Sequence, residues 1–178
     1  MALLPILTAP DPRLKKQCAA VESVDGTIRR LIDDMLETMY NAPGVGLAAP
    51  QVDVLKRVIV VDVSKDEEER APHCLVNPEL TWVSDHDNNY EEGCLSLPDY
   101  YGEVARPAEI KVRYIDRDNE IRELAAEGLL ATCIQHEMDH LDGILFVDHM
   151  SALKRNMILR KLLKAKKSDK PLASYATA

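Results

Sequence analysis

The sequence predicts an α+β fold in which mostly antiparallel strands pack around one central helix, with further helices near the N-terminus and at the C-terminus. Two observations predict this arrangement. Apolar residues recur at helical spacing near both ends of the chain, whereas the middle consists of β-branched or alternating runs separated by turn residues. Helices and strands that occupy separate parts of a chain are typical of α+β folds, because parallel α/β folds interleave them.

The N-terminal part of the chain contains two helix signals. Asp11 followed by Pro12 is typical of a helix cap and first helical residue, and predicts a short helix that continues to about Ala19. Asp25 is a candidate cap for a longer helix, whose apolar residues keep a helical period. The run Asn41-Ala42-Pro43-Gly44 is expected to end that helix.

The middle of the chain has the features of strands joined by turns. Asp118 and Asn119 favour a turn between two alternating segments, which predicts a hairpin. The charged stretch at residues 65–70 predicts a solvated loop. The predicted strands are residues 57–63, 74–77, 79–84, 109–115 and 121–124.

Helical spacing returns at Glu127 and ends before Gly143, a natural residue to follow a helix. Apolar residues surround most of the first half of this helix, so we expect it to be the central one. Ser151 is the candidate cap of a basic C-terminal helix at about residues 151–168. With 178 residues, of which 46% are hydrophobic, the chain is expected to form one domain, residues 1–178.

Charge is distributed unevenly along the chain. Eight Lys and Arg residues lie between positions 154 and 170 with Asp169 as the one acid, whereas the rest has 14 basic and 29 acidic residues. Any polyanion contact is therefore expected at the C-terminus, without specific DNA binding, although the basic helix could equally be a solubilising face. The cysteines lack paired spacing and no apolar run approaches membrane length, which predicts a cytoplasmic protein without membrane contact.

The predicted central helix carries an H-E-x-x-H motif, His136-Glu137-Met138-Asp139-His140. Residues at i and i+4 lie on one helix face about 6 Å apart along the axis, which suits two ligands of one metal ion. Glu137 can then reach a metal-bound water without being a ligand. The alternative is a solvent-exposed helix face, and the apolar residues on both sides of the motif argue against it.

A catalytic metal site needs at least one further protein ligand. The downstream histidine of H-E-x-x-H-x-x-G-x-x-H is replaced by Phe146, and His149 is a weaker candidate. Cys94 is the stronger one, because a thiolate suits Zn²⁺ or Fe²⁺. Taken alone, a single cysteine is as well interpreted as a small buried hydrophobic residue.

The segment Gly44-Val45-Gly46-Leu47-Ala48-Ala49-Pro50-Gln51 follows the long N-terminal helix. It could be a simple turn, and a phosphate-binding loop is disfavoured because it follows a helix and lacks a lysine. Two glycines would let the backbone approach a substrate closely, with Gln51 as a neutral hydrogen-bond donor.

Three segments resemble, in order, the signature motifs of the peptide deformylases: G-V-G-L-A-A-P-Q from Gly44, E-G-C-L-S from Glu92 and Q-H-E-M-D-H from Gln135. The similarity runs nearly the full length and includes the final helix, as in the bacterial branch with a helical C-terminus. It implies a metal-dependent hydrolase that removes the N-formyl group from the N-terminal formylmethionine of newly synthesised proteins.

The resemblance also implies a role for each matching residue. One divalent ion is held by three ligands and a water, and is Fe²⁺ in cells, readily replaced by Zn²⁺, Ni²⁺ or Co²⁺ in purified samples. The implied ligands are Cys94, His136 and His140; Glu137 is the general acid/base, Gln51 and the backbone N–H of Leu95 hold the oxyanion, and Gly46 contacts substrate. Leu129 and Cys133, on the ligand-bearing face of the helix, are expected walls for a methionine side chain.

The implied partners are N-formylmethionyl peptides and nascent chains, with a ribosome contact through the basic C-terminal helix as a further hypothesis. Two alternatives remain at this point. A zinc endopeptidase could use the same H-E-x-x-H helix. A non-enzymatic protein could hold a structural metal with a fourth ligand; the candidates for that ligand are Cys18, Cys74, His73 and His149.

Overall fold

The computed structural model describes residues 2–66 and 69–168. Its helices are α1 (Gly26–Asn41), α2 (Gly128–Leu141) and α3 (Ala152–Lys167). Its strands are β1 (Gly46–Ala48), β2 (Val58–Val61), β3 (His73–Val83), β4 (Asp87–Cys94), β5 (Leu97–Pro107), β6 (Glu109–Ile115) and β7 (Ile121–Glu127). Short 3-10 helices lie at Pro12–Lys15, Ala49–Val52 and Phe146–His149. The predicted α+β class is confirmed.

Within the described ranges, five strands form one antiparallel sheet in the order β1-β2-β3-β6-β7, and β4 and β5 form a separate hairpin. Strand β2 lies inside the larger sheet and is buried on both faces. Val58 and Val60 pack towards α1, whereas Ile59 and Val61 pack towards α2. Because side chains alternate across a strand, this β-branched run fixes a helix on each side of the sheet.

The β4–β5 hairpin has its own apolar cluster with the C-terminal part of the chain. Leu97 and Val104 of the hairpin pack with Phe146 and with Ile158 and Leu162 of α3. Lys15, near the N-terminus, forms an ion pair with Asp148 in the same region. Helix α3 is thus attached along one face, and its opposite face is exposed.

Several local predictions are confirmed by the hydrogen bonds at helix ends. The Asp25 carboxylate accepts from the backbone N–H groups of Thr27 and Ile28 at 2.9 and 3.0 Å, as a helix cap does. The Ser151 side chain accepts from Lys154 N at the start of α3. Gly143 follows α2 with φ of 72°, a left-handed conformation that glycine adopts without steric cost.

Other boundaries were wrong. The first helix is a 3-10 turn that ends at Lys15, because the chain then turns to the protein body, where Cys18 N donates to Leu141 O at 2.8 Å. Residues 74–77 and 79–84 belong largely to one strand, His73–Val83, with an irregular register beside Asn77, whose φ is 50°.

The sequence analysis missed strand β1 and the β4–β5 hairpin. The hairpin was not predicted because β4 is mostly polar and its residues do not alternate in hydrophobicity. Two parts of the predictions lie outside the described residues, namely positions 67–68 of the charged loop and Asp169 and Lys170 of the basic segment. Among the described helices, none has the length and apolarity needed to cross a membrane.

Replacing Gly143 tests the junction between α2 and the N-terminal segment. An added Cβ would lie 2.5 Å from the backbone oxygen of Lys15, and the left-handed φ adds strain. We expect Gly143→Ala to lower the free energy of unfolding by about 2 kcal/mol or more. Urea denaturation of the metal-saturated protein measures the change.

Gly26→Ala is the matched control. Nothing lies within 4 Å of a Cβ added to this first residue of α1. The substitution should be neutral or stabilise by up to about 1 kcal/mol. Equal effects at the two glycines would contradict the assigned close contact at Gly143.

Candidate active site

Two segments that are distant in the sequence bring three potential metal-ligand side chains together. His136 and His140 are one turn apart on α2, and Cys94 is the last residue of β4. One potential ligand atom from each of these residues lies within 4.8 Å of the other two. The predicted ligand set is therefore a cluster in space, although Cys94 and His140 are 46 positions apart in the sequence.

The ring nitrogens of His136 and His140 have different hydrogen-bond partners. His136 Nδ1 lies 2.8 Å from Glu92 Oε2, which leaves Nε2 available. His140 Nε2 lies 3.3 Å from Cys94 Sγ, and within the described residues His140 Nδ1 is buried without a partner. A sulfur and two imidazole nitrogens are a donor set that suits Zn²⁺ or Fe²⁺.

The donor count distinguishes a catalytic site from a structural one. Among the described residues, the cluster contains three ligand residues, and structural zinc sites usually have four. His149, considered as a third or fourth ligand, has its Nε2 2.7 Å from Asp139 Oδ2. Cys18 belongs to the apolar core between α2 and the sheet. The arrangement therefore favours a site with an open coordination position.

A buried charge network behind His136 was missed by the sequence analysis. Arg106 on β5 donates to both carboxylate oxygens of Glu92, at 2.6 and 3.1 Å, and to Asp139 Oδ2 at 2.8 Å. Glu92 in turn bonds His136. The network joins the hairpin to α2 and holds the ring of a predicted ligand. No strand was predicted around Glu92, and the pairing of β4 with β5 shifts register between Gly93 and Cys94, so strand alternation could not have revealed this network.

Glu137 lies beside the cluster in a confined place. Its Oε2 atom is buried and, in the described part of the chain, has no hydrogen-bond partner. A Cβ added to Gly46 would lie 2.4 Å from Glu137 Oε1, so glycine is needed for the carboxylate to fit. Burial raises the pKa of Glu137 to about 7. A carboxyl group with such a pKa can both accept and donate a proton near neutrality.

Hydrogen bonds to neighbouring residues orient the side-chain amide of Gln51. Its Oε1 accepts from Ala48 N at 2.8 Å, which directs Nε2 towards Ser96 Oγ at 3.0 Å and Cys94 Sγ at 3.5 Å. The donor end of the buried amide thus faces the cluster. Leu95, in the turn between β4 and β5, also lines the site.

Two cavities meet at the cluster. The larger, about 240 Å³, lies between the wall formed by residues 43–46 and the end of the hairpin. The smaller, about 110 Å³, is lined by the predicted wall residues Leu129 and Cys133. Burial raises the pKa of Cys133 to about 12, so its thiol stays neutral. Both cavities share the residues Val45, Gly93, His136 and Glu137.

The two histidines differ in electrostatic environment. Burial lowers the pKa of His140, and the nearby His136, Arg106 and Lys15 lower it further. Burial alone would lower the pKa of His136 too, but hydrogen bonds with Cys94 and Glu92 raise it well above its ordinary value. When a metal ion takes the place of the proton, the Glu92 bond at Nδ1 would still orient His136.

Comparison with known proteins shows similarity over most of the chain. A family model described as polypeptide deformylase matches residues 3–156. The peptide deformylase of Zymomonas mobilis is 56% identical over 171 residues, which cover 94% of this chain and 97% of the relative. That of Agrobacterium fabrum is 53% identical over 165 residues, covering 93% of this chain and 97% of the relative.

Solved structures give the same result. A peptide deformylase from Legionella pneumophila is 46% identical with a TM-score of 0.87, and the match covers 96% of this chain and 100% of that one. The peptide deformylase from Ehrlichia chaffeensis, crystallised in complex with actinonin, is 40% identical with a TM-score of 0.89 and the same coverage of both chains.

Glu92→Gln tests the positioning of His136. The amide keeps the shape of the side chain but removes the charge that pairs with Arg106 and His136. We expect metal affinity to fall roughly 10- to 100-fold, measured by competition with a chelator. Glu103→Gln, at an exposed position opposite Glu91 in the hairpin, is the control and should keep wild-type affinity. An unchanged affinity in Glu92→Gln would refute this role.

Proposed function

The chain belongs to the polypeptide deformylase family. From this membership and the geometry of the site, we propose a role for each site residue, an identity for the metal ion and a place of action in the cell. The chain is a metal-dependent hydrolase that removes the N-formyl group from newly synthesised proteins. One observation carries the residue assignment: the Cys94, His136 and His140 donors converge beside the buried Glu137. Family membership also favours this activity over that of a zinc endopeptidase.

The metal ligands in this proposal are Cys94, His136 and His140. A divalent ion held by these residues would supply Lewis acidity, which would activate water and polarise the substrate carbonyl. Fe²⁺ is the expected ion in cells, with Zn²⁺, Ni²⁺ and Co²⁺ as substitutes, because thiolate and imidazole donors accept all of them. Among the described residues, Glu137 Oε2 is a buried acceptor without a partner, which supports a reaction that places a proton beside these ligands.

Proton transfer is assigned to Glu137, which takes a proton from the attacking water and delivers it to the departing amine. Gln51 Nε2 and the backbone N–H of Leu95 donate to the oxyanion that develops on the formyl carbonyl. The bond between Gln51 Oε1 and Ala48 N holds that amide in its donating orientation before substrate arrives. Preorganised donors of this kind need no rearrangement during the reaction.

Substrate binding is assigned to the two cavities. The smaller one would take the methionine side chain against Leu129 and Cys133, and the larger would take the chain that follows. Gly46 lies where the cavities meet the catalytic carboxylate, so its backbone can approach the peptide closely. We take residues 1–178 as one catalytic domain that acts on N-formylmethionyl peptides and nascent chains.

Glu137→Gln tests the proton-transfer assignment. The amide is nearly isosteric but cannot accept a proton, so metal content should persist while kcat falls at least about a hundredfold. Metal analysis and hydrolysis of a formyl-Met tripeptide are the measurements. The exposed Glu123→Gln on β7 is the control. A metal-free variant, or one with near wild-type turnover, would show that Glu137 has another role.

The basic helix α3 is proposed to hold the enzyme near ribosomes in the cytoplasm. Its inner face packs on the hairpin through Ile158 and Leu162. Its outer face combines exposed Leu153 and Met157 with cationic residues, which include Arg160. A cationic surface binds RNA phosphate through salt-sensitive contacts, and nascent chains emerge where that phosphate is abundant. The alternative is a solvated helix face without a partner.

Charge reversal on α3 separates these possibilities. Changing Lys161, Lys164, Lys166 and Lys167 to Glu should leave hydrolysis of a free formyl-Met tripeptide unchanged and reduce ribosome co-sedimentation at low salt towards background. The same reversal at exposed lysines elsewhere matches the change in net charge; the control positions are Lys16, Lys56, Lys65 and Lys111. If the α3 variant still co-sediments with ribosomes, or if co-sedimentation falls equally in the α3 and control variants, α3 does not bind the ribosome specifically.

A further inference from the structure

The segment that joins α1 to β1 forms one wall of the cleft. Pro43, Gly44 and Val45 line the larger cavity, and Val45 also lines the smaller one. The Val45 side chain is 45% exposed, so packing in the core does not hold it. Its position, and with it the division between the two cavities, depends on how the backbone on either side is anchored.

Both ends of this wall are tied to Asp62, the residue that follows β2. The backbone N–H of Asp62 donates to the carbonyl oxygen of Val45 at 2.9 Å. The Asp62 carboxylate accepts from the Tyr40 hydroxyl at 2.6 Å, and Tyr40 lies in the last turn of α1. One residue therefore fixes the end of the helix before the wall and the backbone at the wall itself.

The chemistry of Asp62 is unusual for a purely structural contact. Its side chain is buried, and its Oδ1 atom accepts from Ser64 N at 2.9 Å and Ser64 Oγ at 2.6 Å. Burial alone would raise the pKa of this carboxyl, but the bonds from Ser64 and Tyr40 keep it below its ordinary value. The Arg70 guanidinium lies 4.0 Å from the centre of the Tyr40 ring.

A buried carboxylate costs free energy that an apolar pair of similar size would not. Its directional hydrogen bonds instead define one geometry for the groups around it. Tyr40 and Asp62 lie behind the wall, outside the residues that line the cavities. Their effect on substrate must therefore pass through Val45.

We propose that the Tyr40–Asp62 hydrogen bond is a positioning device that holds Val45 between the two cavities and so sets selectivity for the methionine side chain. The inference rests on the proposed function, because it takes the smaller cavity as the methionine pocket. Without the bond, Val45 can withdraw and the smaller cavity loses its fit. Tyr40 and Asp62 are positioning residues, since neither reaches the reacting atoms.

Tyr40→Phe removes only the hydroxyl group and is the primary test. We expect the KM of a formyl-Met tripeptide to rise roughly three- to tenfold, with kcat within about twofold of wild type, because uniform binding is lost. The ratio of kcat/KM for formyl-Met over formyl-Ala peptides should fall by a similar factor. Metal content should not change.

Tyr114→Phe is the matched control, because it removes a hydroxyl from a partly buried tyrosine on β6. It should leave KM and selectivity unchanged. If Tyr40→Phe lowers only the melting temperature and leaves both kinetic quantities at wild-type values, the pair is a structural contact and the proposal is wrong.

A second measurement does not depend on turnover. Hydrogen exchange of residues 42–46 in the metal-loaded protein should be at least about tenfold faster in Tyr40→Phe than in wild type or Tyr114→Phe. Unchanged exchange overturns the proposal even if the enzyme is active. Conversely, failure of the wild-type protein to hydrolyse any formyl-Met peptide would refute the proposed function. The hydrogen-exchange measurement would still decide whether Tyr40 holds the backbone of the wall in place.

Discussion

The buried ion pair between Arg106 of β5 and Glu92 of β4 lies within the hairpin that carries Cys94. Its further bonds to Asp139 and His136 join that hairpin to the helix that carries the histidines. Both side chains are 5% exposed, and such burial is unfavourable unless every donor and acceptor finds a partner. Here Arg106 reaches Glu92 through two nitrogens and Asp139 through a third, and Glu92 also bonds His136. The bonds from this pair to Asp139 and His136 hold the hairpin against α2, and the geometry of the cluster depends on that contact.

The rest of the cleft is arranged around that junction. Strand β2 is buried on both faces, so α1 and α2 are held on opposite sides of one sheet. The wall at residues 43–46 follows the end of α1 and reaches the cluster from the opposite side to the hairpin. Gly46 then brings the backbone against Glu137. The groups proposed for catalysis, metal binding and substrate binding thus come from elements that pack on the two faces of one sheet.

Packing at the cluster leaves a few polar atoms without partners, and these have a common location. Within the described chain, Glu137 Oε2 and His140 Nδ1 are buried beside the ligand atoms without a hydrogen bond. Buried unsatisfied groups are rare in folded proteins because they cost free energy. Of the three such atoms among the described residues, two lie at the cluster and the third, Glu37 Oε2, lies on α1. Burial also raises the pKa of Glu137 to about 7, which fits the proton transfer proposed for this residue.

Local features were determined by the sequence alone, because short-range chemistry decides them. The caps Asp25 and Ser151, the left-handed Gly143 and the ligand spacing of the H-E-x-x-H helix depend on residues within one or two turns. The order of three motifs also predicted the family. Only the tertiary structure decided that Glu92 and Arg106 are buried, since isolated charged residues are usually exposed. The polar hairpin and the cleft wall likewise depend on contacts between distant segments, which no local pattern records.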